Sequence, residues 1–252
     1  MADDDVVTVQ LVGPVAVVEL HRPPHNFFDV ASVSALADAV LEVGSDPRCR
    51  ATVLATEGKN FCAGAALGGA EAMDVATLYE QAARLASSPV PVVAAVQGAA
   101  VGGGLGLAMV ADFRVATPET RFTCNFAKLG FHHGFGLSAT LPDAVGQQRA
   151  LELLYTGGTV MGTDAAAWGL AERVVPLEDL RSAAMAFAEE IAASAPLSIR
   201  SIRATMRGDV PDRIRRATAR EQEQQALLLP TADFVEGVAA TAERRPPSFV
   251  GR

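Results

Sequence analysis

No stretch of this 252-residue chain approaches the roughly 20 apolar residues that a membrane-spanning helix needs. Residues 90–101 are apolar, but the run is short, and Pro91, Gln97 and Gly98 interrupt it. Residues 1–5 are acidic and lack the architecture of a signal peptide, so a soluble, cytoplasmic protein is expected. Cysteine is scarce. Cys49, Cys62 and Cys124 are odd in number and lack metal-ligand spacing, which argues against a disulfide framework and predicts a reducing compartment and no bound metal. Positive charge is in deficit. The 21 Lys and Arg against 29 Asp and Glu leave a net charge of −8, so no basic nucleic-acid surface is expected. Backbone dipoles still permit an anionic ligand. No G-x-S-x-G elbow occurs, and Ser138 has no evident nucleophile setting in the sequence. Internal repeats and low-complexity linkers are also missing.

What the chain does have is apolar residues, at 50%, enough to bury a large core. Residues 6–12 and 15–20 are short β-branched runs around Gly13-Pro14 and read as a hairpin. Residues 30–43 carry Val33, Leu36, Ala37, Val40 and Leu41 at helical spacing, with Asp29 or Ser32 as the cap. Strands are predicted at 50–55, 92–96, 112–116 and 172–175. Helices are predicted at 73–86, 102–110 and, mostly, 139–154. Beyond Pro176 the alternation stops, and residues 180–195, 197–206, 211–228 and 231–243 all read as helices. An α/β core over 1–176 with a C-terminal helical region over 177–252 follows.

Two glycine-rich stretches follow predicted strands. One is Phe61-Cys62-Ala63-Gly64-Ala65-Ala66-Leu67 and the other is Gly98-Ala99-Ala100-Val101-Gly102-Gly103-Gly104. Both leave backbone N–H groups uncovered by bulky side chains, as binding an oxyanion or a phosphate requires. The second opens a helix and points its N-terminus at any ligand there. Cys62, within the first, reads as a small packing residue rather than a nucleophile.

The first stretch resembles the F-C-A-G-A-D-L segment of the crotonase (enoyl-CoA hydratase/isomerase) superfamily, and the second resembles its G-x-A-x-G-G-G segment. The likeness extends to Leu20-His21-Arg22-Pro23 with Asn26, to Ala111–Ala116, to the loop from Gly130 to Gly136, to Trp168-Gly169-Leu170 and to the run from Arg244 to Phe249. It thus covers nearly the whole chain in order. The resemblance implies a crotonase-like α/β spiral of ββα units with a C-terminal helical appendage. It implies a coenzyme A thioester as substrate, no further cofactor, and assembly as a homotrimer or a dimer of trimers. The helical tail would serve that assembly, although its apolar faces are equally able to fold onto their own core.

By motif position, the Ala65 and Gly103 amides would hold the thioester oxygen. Arg22, His25, Ala63, Ala65, Leu67 and Gly103 would contact the thioester or its CoA. Leu67, Met73, Leu78, Tyr79 and Phe126 are candidates for an apolar acyl pocket or for plain core. The family's hydratases carry two glutamates, and here the matching positions are Gly106 and Phe126, which cannot transfer protons. Some isomerases carry an aspartate at the position of Gly134. The nearest ionisable groups are His133, the predicted base, and His132, the weaker candidate. An acyl-CoA enzyme of the enoyl-CoA hydratase/isomerase type is expected, favouring double-bond isomerisation over hydration. The alternative is a non-catalytic acyl-CoA-binding protein on the same fold.

Overall fold

The computed structural model describes residues 6–65 and 74–252. Its strands are β1 (Val7–Val12), β2 (Val15–Leu20), β3 (Ala51–Thr56), β4 (Val92–Val96), β5 (Ala99–Val101), β6 (Phe113–Ala116), β7 (Arg121–Thr123), β8 (Thr159–Met161) and β9 (Arg173–Val174). Six of them form one sheet in the order β1-β2-β3-β4-β6-β9. β1 and β2 make the antiparallel hairpin expected around Gly13, and every later pairing in this sheet is parallel. β5, β7 and β8 form a second, three-stranded sheet.

The helices are α1 (Val30–Ser45), α2 (Val75–Ala86), α3 (Gly103–Val110), α4 (Leu137–Val145), α5 (Gln147–Thr156), α6 (Gly162–Trp168), α7 (Leu180–Ala192), α8 (Pro196–Arg207), α9 (Val210–Leu228) and α10 (Ala232–Glu243). Asp29 caps α1 in a capping box with Ser32. Asp74 caps α2 by accepting from the Thr77 N–H.

β3 and β4 are buried at every residue, as parallel strands covered on both faces must be. Side chains alternate across the sheet. Leu54 joins the core under α1 and α2 with Leu36 and Leu78. Val53 and Ala55 face the other way, onto Leu180, Ala184 and Ala188 of α7. The C-terminal helices therefore fold onto their own chain. α7 closes one face of the main sheet, α9 packs against α2 and α4, and α10 packs on a 3-10 turn, Asn125–Leu129.

The structure contains elements absent from the sequence reading, among them α6 and a second sheet. The second sheet is not anticipated, because its strands are three residues long. Residues 139–154 are mostly helical, as expected, but form two helices rather than one. Gly146, at φ +79°, ends α4 and starts α5.

Candidate active site

The two glycine stretches are stitched together by main-chain bonds. The Phe61 N–H donates to Gln97 O (2.7 Å), Cys62 N–H to Ala99 O (2.8 Å) and Val101 N–H to Cys62 O (3.0 Å). The loop bearing Arg22 and His25 is laced on from the other side. Ala63 N–H donates to His25 O (2.9 Å), and Phe28 N–H donates to Gly64 O (3.0 Å). Fully buried Asn26 ties this loop down by donating to Glu57 O and Asn60 O.

Gly64, at φ +96°, turns the chain beside the start of α3. A Cβ there would sit 2.9 Å from Val101 O and 3.7 Å from Gly103 N. Among the described residues, neither the Ala65 nor the Gly103 amide has an acceptor. Two unpaired amides from two motifs thus lie close together. Cys62 beneath them is fully buried, and burial pushes its thiol up to about 12, in keeping with a packing role.

Aromatic side chains fill the surroundings. The Phe28 ring covers Gly103 so closely that a Cβ on that glycine would lie 2.5 Å from Phe28 Cζ. Phe28 packs on Phe135 with ring centroids 5.2 Å apart, and Tyr79 meets Phe135 edge-on at 6.4 Å. The space beside Gly106 is taken: a Cβ there would lie 2.6 Å from Phe135 Cβ. The Tyr79 hydroxyl occupies the space beside Gly134 and donates to Gln225 Oε1 at 2.8 Å. Phe126 lies almost buried against Gly102. All three places where the family carries a proton-transferring carboxylate are thus occupied by aromatic rings or closed by them.

His133 stands edge-on to Phe126, with centroids 6.4 Å apart, and stacks on His132 at 4.2 Å. Its side chain is 19% exposed. Burial, aided by the neighbouring His132, pulls its pKa down to about 4, so the ring is neutral at pH 7. Its Nε2 lies 2.8 Å from Ser138 Oγ and 3.9 Å from Glu221 Oε1. His132 is turned back onto the loop, where its Nδ1 lies 2.8 Å from His133 O. That carbonyl can only accept, so His132 Nδ1 carries the proton.

The histidine loop is held from α9. Glu221 is fully buried and accepts from Gly136 N–H and Ser138 N–H, both at 2.9 Å, which caps the start of α4. Burial raises the Glu221 pKa, and the hydrogen bonds from Ser138 and Gly136 oppose that rise. One turn on, Gln225 Nε2 donates to His132 O (3.1 Å) and His133 O (3.3 Å). None of Phe28, Phe135, Ser138, Glu221 and Gln225 is expected to be a site residue from the sequence.

The remaining candidates are less central. Arg22 is paired with Asp29 at 2.7 Å and donates to Ser32 Oγ, so it braces the start of α1. His25 is exposed, with its ring 5.3 Å from that of Phe27. Leu67 and Met73 lie outside the described residues. Leu78 is core. A cleft of about 520 Å³ bordered by Lys59, Pro118 and Leu177 contains none of the candidate residues.

Residues 12–252 match the family model described as enoyl-CoA hydratase/isomerase. The chain is 32% identical to the (E)-benzylidenesuccinyl-CoA hydratase of Thauera aromatica, over 97% of this chain and 99% of that protein. It is also 32% identical to the crotonyl-CoA hydratase of Syntrophomonas wolfei, over 94% and 95%. Among solved structures, an enoyl-CoA hydratase/isomerase from Pseudoalteromonas atlantica superposes with a TM-score of 0.86 at 29% identity, covering 98% of this chain and all of that one. A carnitinyl-CoA hydratase from Mycobacterium avium gives 0.85 at 31% identity, covering 98% and 99%. With this match along nearly its whole length, and with the crotonase fold around two interlaced glycine loops, the chain belongs to the enoyl-CoA hydratase/isomerase family of the crotonase superfamily.

Proposed function

We propose that the protein binds an acyl-CoA thioester, holds the thioester oxygen on the Ala65 and Gly103 amides, and shifts a double bond along the acyl chain with His133 as base. The observation that carries this reading is the pair of unpaired amides brought together across Gly64 and Gly103. Donors aimed at a developing enolate are typically worth about 3 kcal/mol each. In the proposed step a C–H bond beside the unsaturated thioester breaks. Its proton goes to His133 and its electron pair is spread onto the carbonyl oxygen. The same proton then returns at the other end of the allylic system.

One base is enough for this exchange. Adding water calls for groups that activate the water and protonate carbon, and here the carboxylate positions are Gly106, Phe126 and Gly134. Relatives are named hydratases or dehydratases. This chain's aromatic filling is the reason to assign it isomerisation. We further assign it to the cytoplasm, as a homotrimer or a dimer of trimers.

The test is hydrogen exchange at the acyl carbons, followed by NMR in heavy water with short, long and aromatic acyl-CoAs. Exchange and a migrated double bond are expected for at least one thioester. Failure to bind any of them removes the reading. Binding without exchange favours the second reading, a non-catalytic acyl-CoA-binding protein. That reading draws on the depressed pKa of His133, which makes it a weak base.

A further inference from the structure

We infer that the Tyr79 hydroxyl and the Gln225 carboxamide form a clamp that fixes the main chain of the histidine loop, and that both act on the reaction through His133 without touching the substrate. The effect on the reaction rests on the proposed function; the clamp does not.

Donors and acceptors can be counted at Gln225, which is buried on α9. Its Nε2 faces two main-chain carbonyls, His132 O at 3.1 Å and His133 O at 3.3 Å. A carbonyl only accepts, so the NH2 end of the amide must lie on this side. The Oε1 end is left facing the Tyr79 hydroxyl at 2.8 Å, and it too only accepts. Tyr79, on α2, is therefore the donor. Burial pushes its phenol well above the ordinary range, so it keeps the proton that it donates. Without that hydroxyl, Oε1 would be a buried acceptor with no donor among the described residues, and the amide would lose what holds it in this orientation.

The clamp also accounts for a glycine. Gly134 does not sit in the left-handed region, so its backbone does not call for glycine. A Cβ there would run into the Tyr79 hydroxyl and lie 2.6 Å from Gln225 Nε2. The residue after His133 thus has no side chain because the clamp fills its space. At the other end of the loop, Glu221 accepts from the Gly136 and Ser138 N–H groups. His133 lies between these two ties, with His132 stacked on it and Phe126 edge-on. The ionisable groups facing it are His132 from its own loop and Glu221 of α9 at 3.9 Å, with the Tyr79 phenol behind Gln225. Tyr79 and Gln225 bond to each other and to the loop's carbonyls, which makes them positioning residues.

An NMR titration of the histidines in the full-length protein reads the clamp without any substrate. Wild-type His133 is expected to titrate at about 4, held there by burial. Releasing the loop admits water to the ring, so Gln225→Leu is expected to move the midpoint up toward about 6.5. Tyr79→Phe, which removes one oxygen and keeps the ring, should move it the same way by less. Thermal melts check that both variants fold. A midpoint that stays in place in Tyr79→Phe overturns the clamp, with or without a folded Gln225→Leu. Turnover adds a second readout. Tyr79→Phe should lower kcat for acyl-proton exchange about 10-fold with KM nearly unchanged, and Gln225→Leu about 100-fold. In the double variant the loss of the hydroxyl should cost nothing further, because its partner is gone. A raised KM at unchanged kcat in Tyr79→Phe would make Tyr79 a wall of the acyl pocket, and independent losses in the double variant would uncouple it from Gln225. Either result overturns the route from Tyr79 to His133. If the midpoints move as expected but wild type exchanges no acyl proton, the clamp stands and the proposed function falls.

Discussion

Phe135 and Gly106 are a matched pair: the side chain of one is packed where the side chain of the other would begin, with Phe135 Cβ 2.6 Å from a Cβ on Gly106. Phe135 is itself held at φ +60° and is almost completely buried. The glycine is there because the phenylalanine is, and the family's carboxylate at this place has nowhere to go.

The first expectation follows from that pairing. Gly106→Ala should lower stability by about 1–3 kcal/mol through overpacking, read as a lower denaturant midpoint. Unchanged stability would mean that Phe135 is not locked over this position.

Hydration should be poor for the same reason. Crotonyl-CoA is expected to turn over far below the usual enzyme range of about 1–10³ s⁻¹. A steady-state assay within that range would show that other groups have replaced the missing carboxylates.

Gly103→Val tests the amide pair. From sequence, a branched side chain here should only push the ligand away. The structure adds that Cβ would meet Phe28 Cζ at 2.5 Å, so the melting temperature should fall as well. Adding Phe28→Leu should recover much of the stability. Acyl-CoA affinity, measured by calorimetry, should stay at least about 10-fold weaker, because the carbonyl's docking place is blocked. Full affinity in the double variant would move the oxyanion site elsewhere.

The two histidines should separate cleanly. His133→Ala is expected to slow acyl-proton exchange by at least about 100-fold with thioester affinity nearly unchanged. His132→Ala, which loses a loop contact and a stacking partner, should cost much less. Equal exchange in wild type and His133→Ala would end the assignment of the base.

The pH dependence has a definite sign. His133 is neutral in the folded chain down to about pH 4, whereas the unfolded side chain titrates near 6.5. Its contribution to stability is complete above about 6.5 and is lost as pH falls through about 4. Glu221 works in the opposite sense, since burial raises its folded pKa. The comparison is therefore wild type against His133→Gln. The difference in unfolding free energy should move against wild type on acidification, by on the order of 3 kcal/mol at the limit. The rate of exchange should stay flat from pH 7 to about 5 rather than fall near 6.5. A midpoint near 6.5 would show an ordinary, solvated imidazole.

The elements readable in the sequence are those whose burial leaves a long pattern. β3 and β4 are continuous apolar runs because both faces are covered, and α1 carries its core residues at helical spacing. β5, β7 and β8 are too short to show any period. The glycine loops were legible as backbone donors, since that role depends on the absence of side chains. The partners of those glycines were not legible, because Phe28 and Phe135 act through contacts distant along the chain. Glu221 was hidden for a different reason. It follows the arginine-rich stretch 213–220, and nothing in its neighbours marks it as the buried member of a charged helix.

The contribution of α9 also sets an order of events. Ribosomes deliver the chain from its N-terminus, so the Ala65 and Gly103 amides and the histidine loop emerge before Glu221 and Gln225 do. Until α9 has been made and has docked, the start of α4 lacks its carboxylate and the His132 and His133 carbonyls lack the Gln225 amide. The amides proposed to hold the thioester are therefore synthesised well before the residues that hold the proposed base in place, and α9 is the helix that completes its loop.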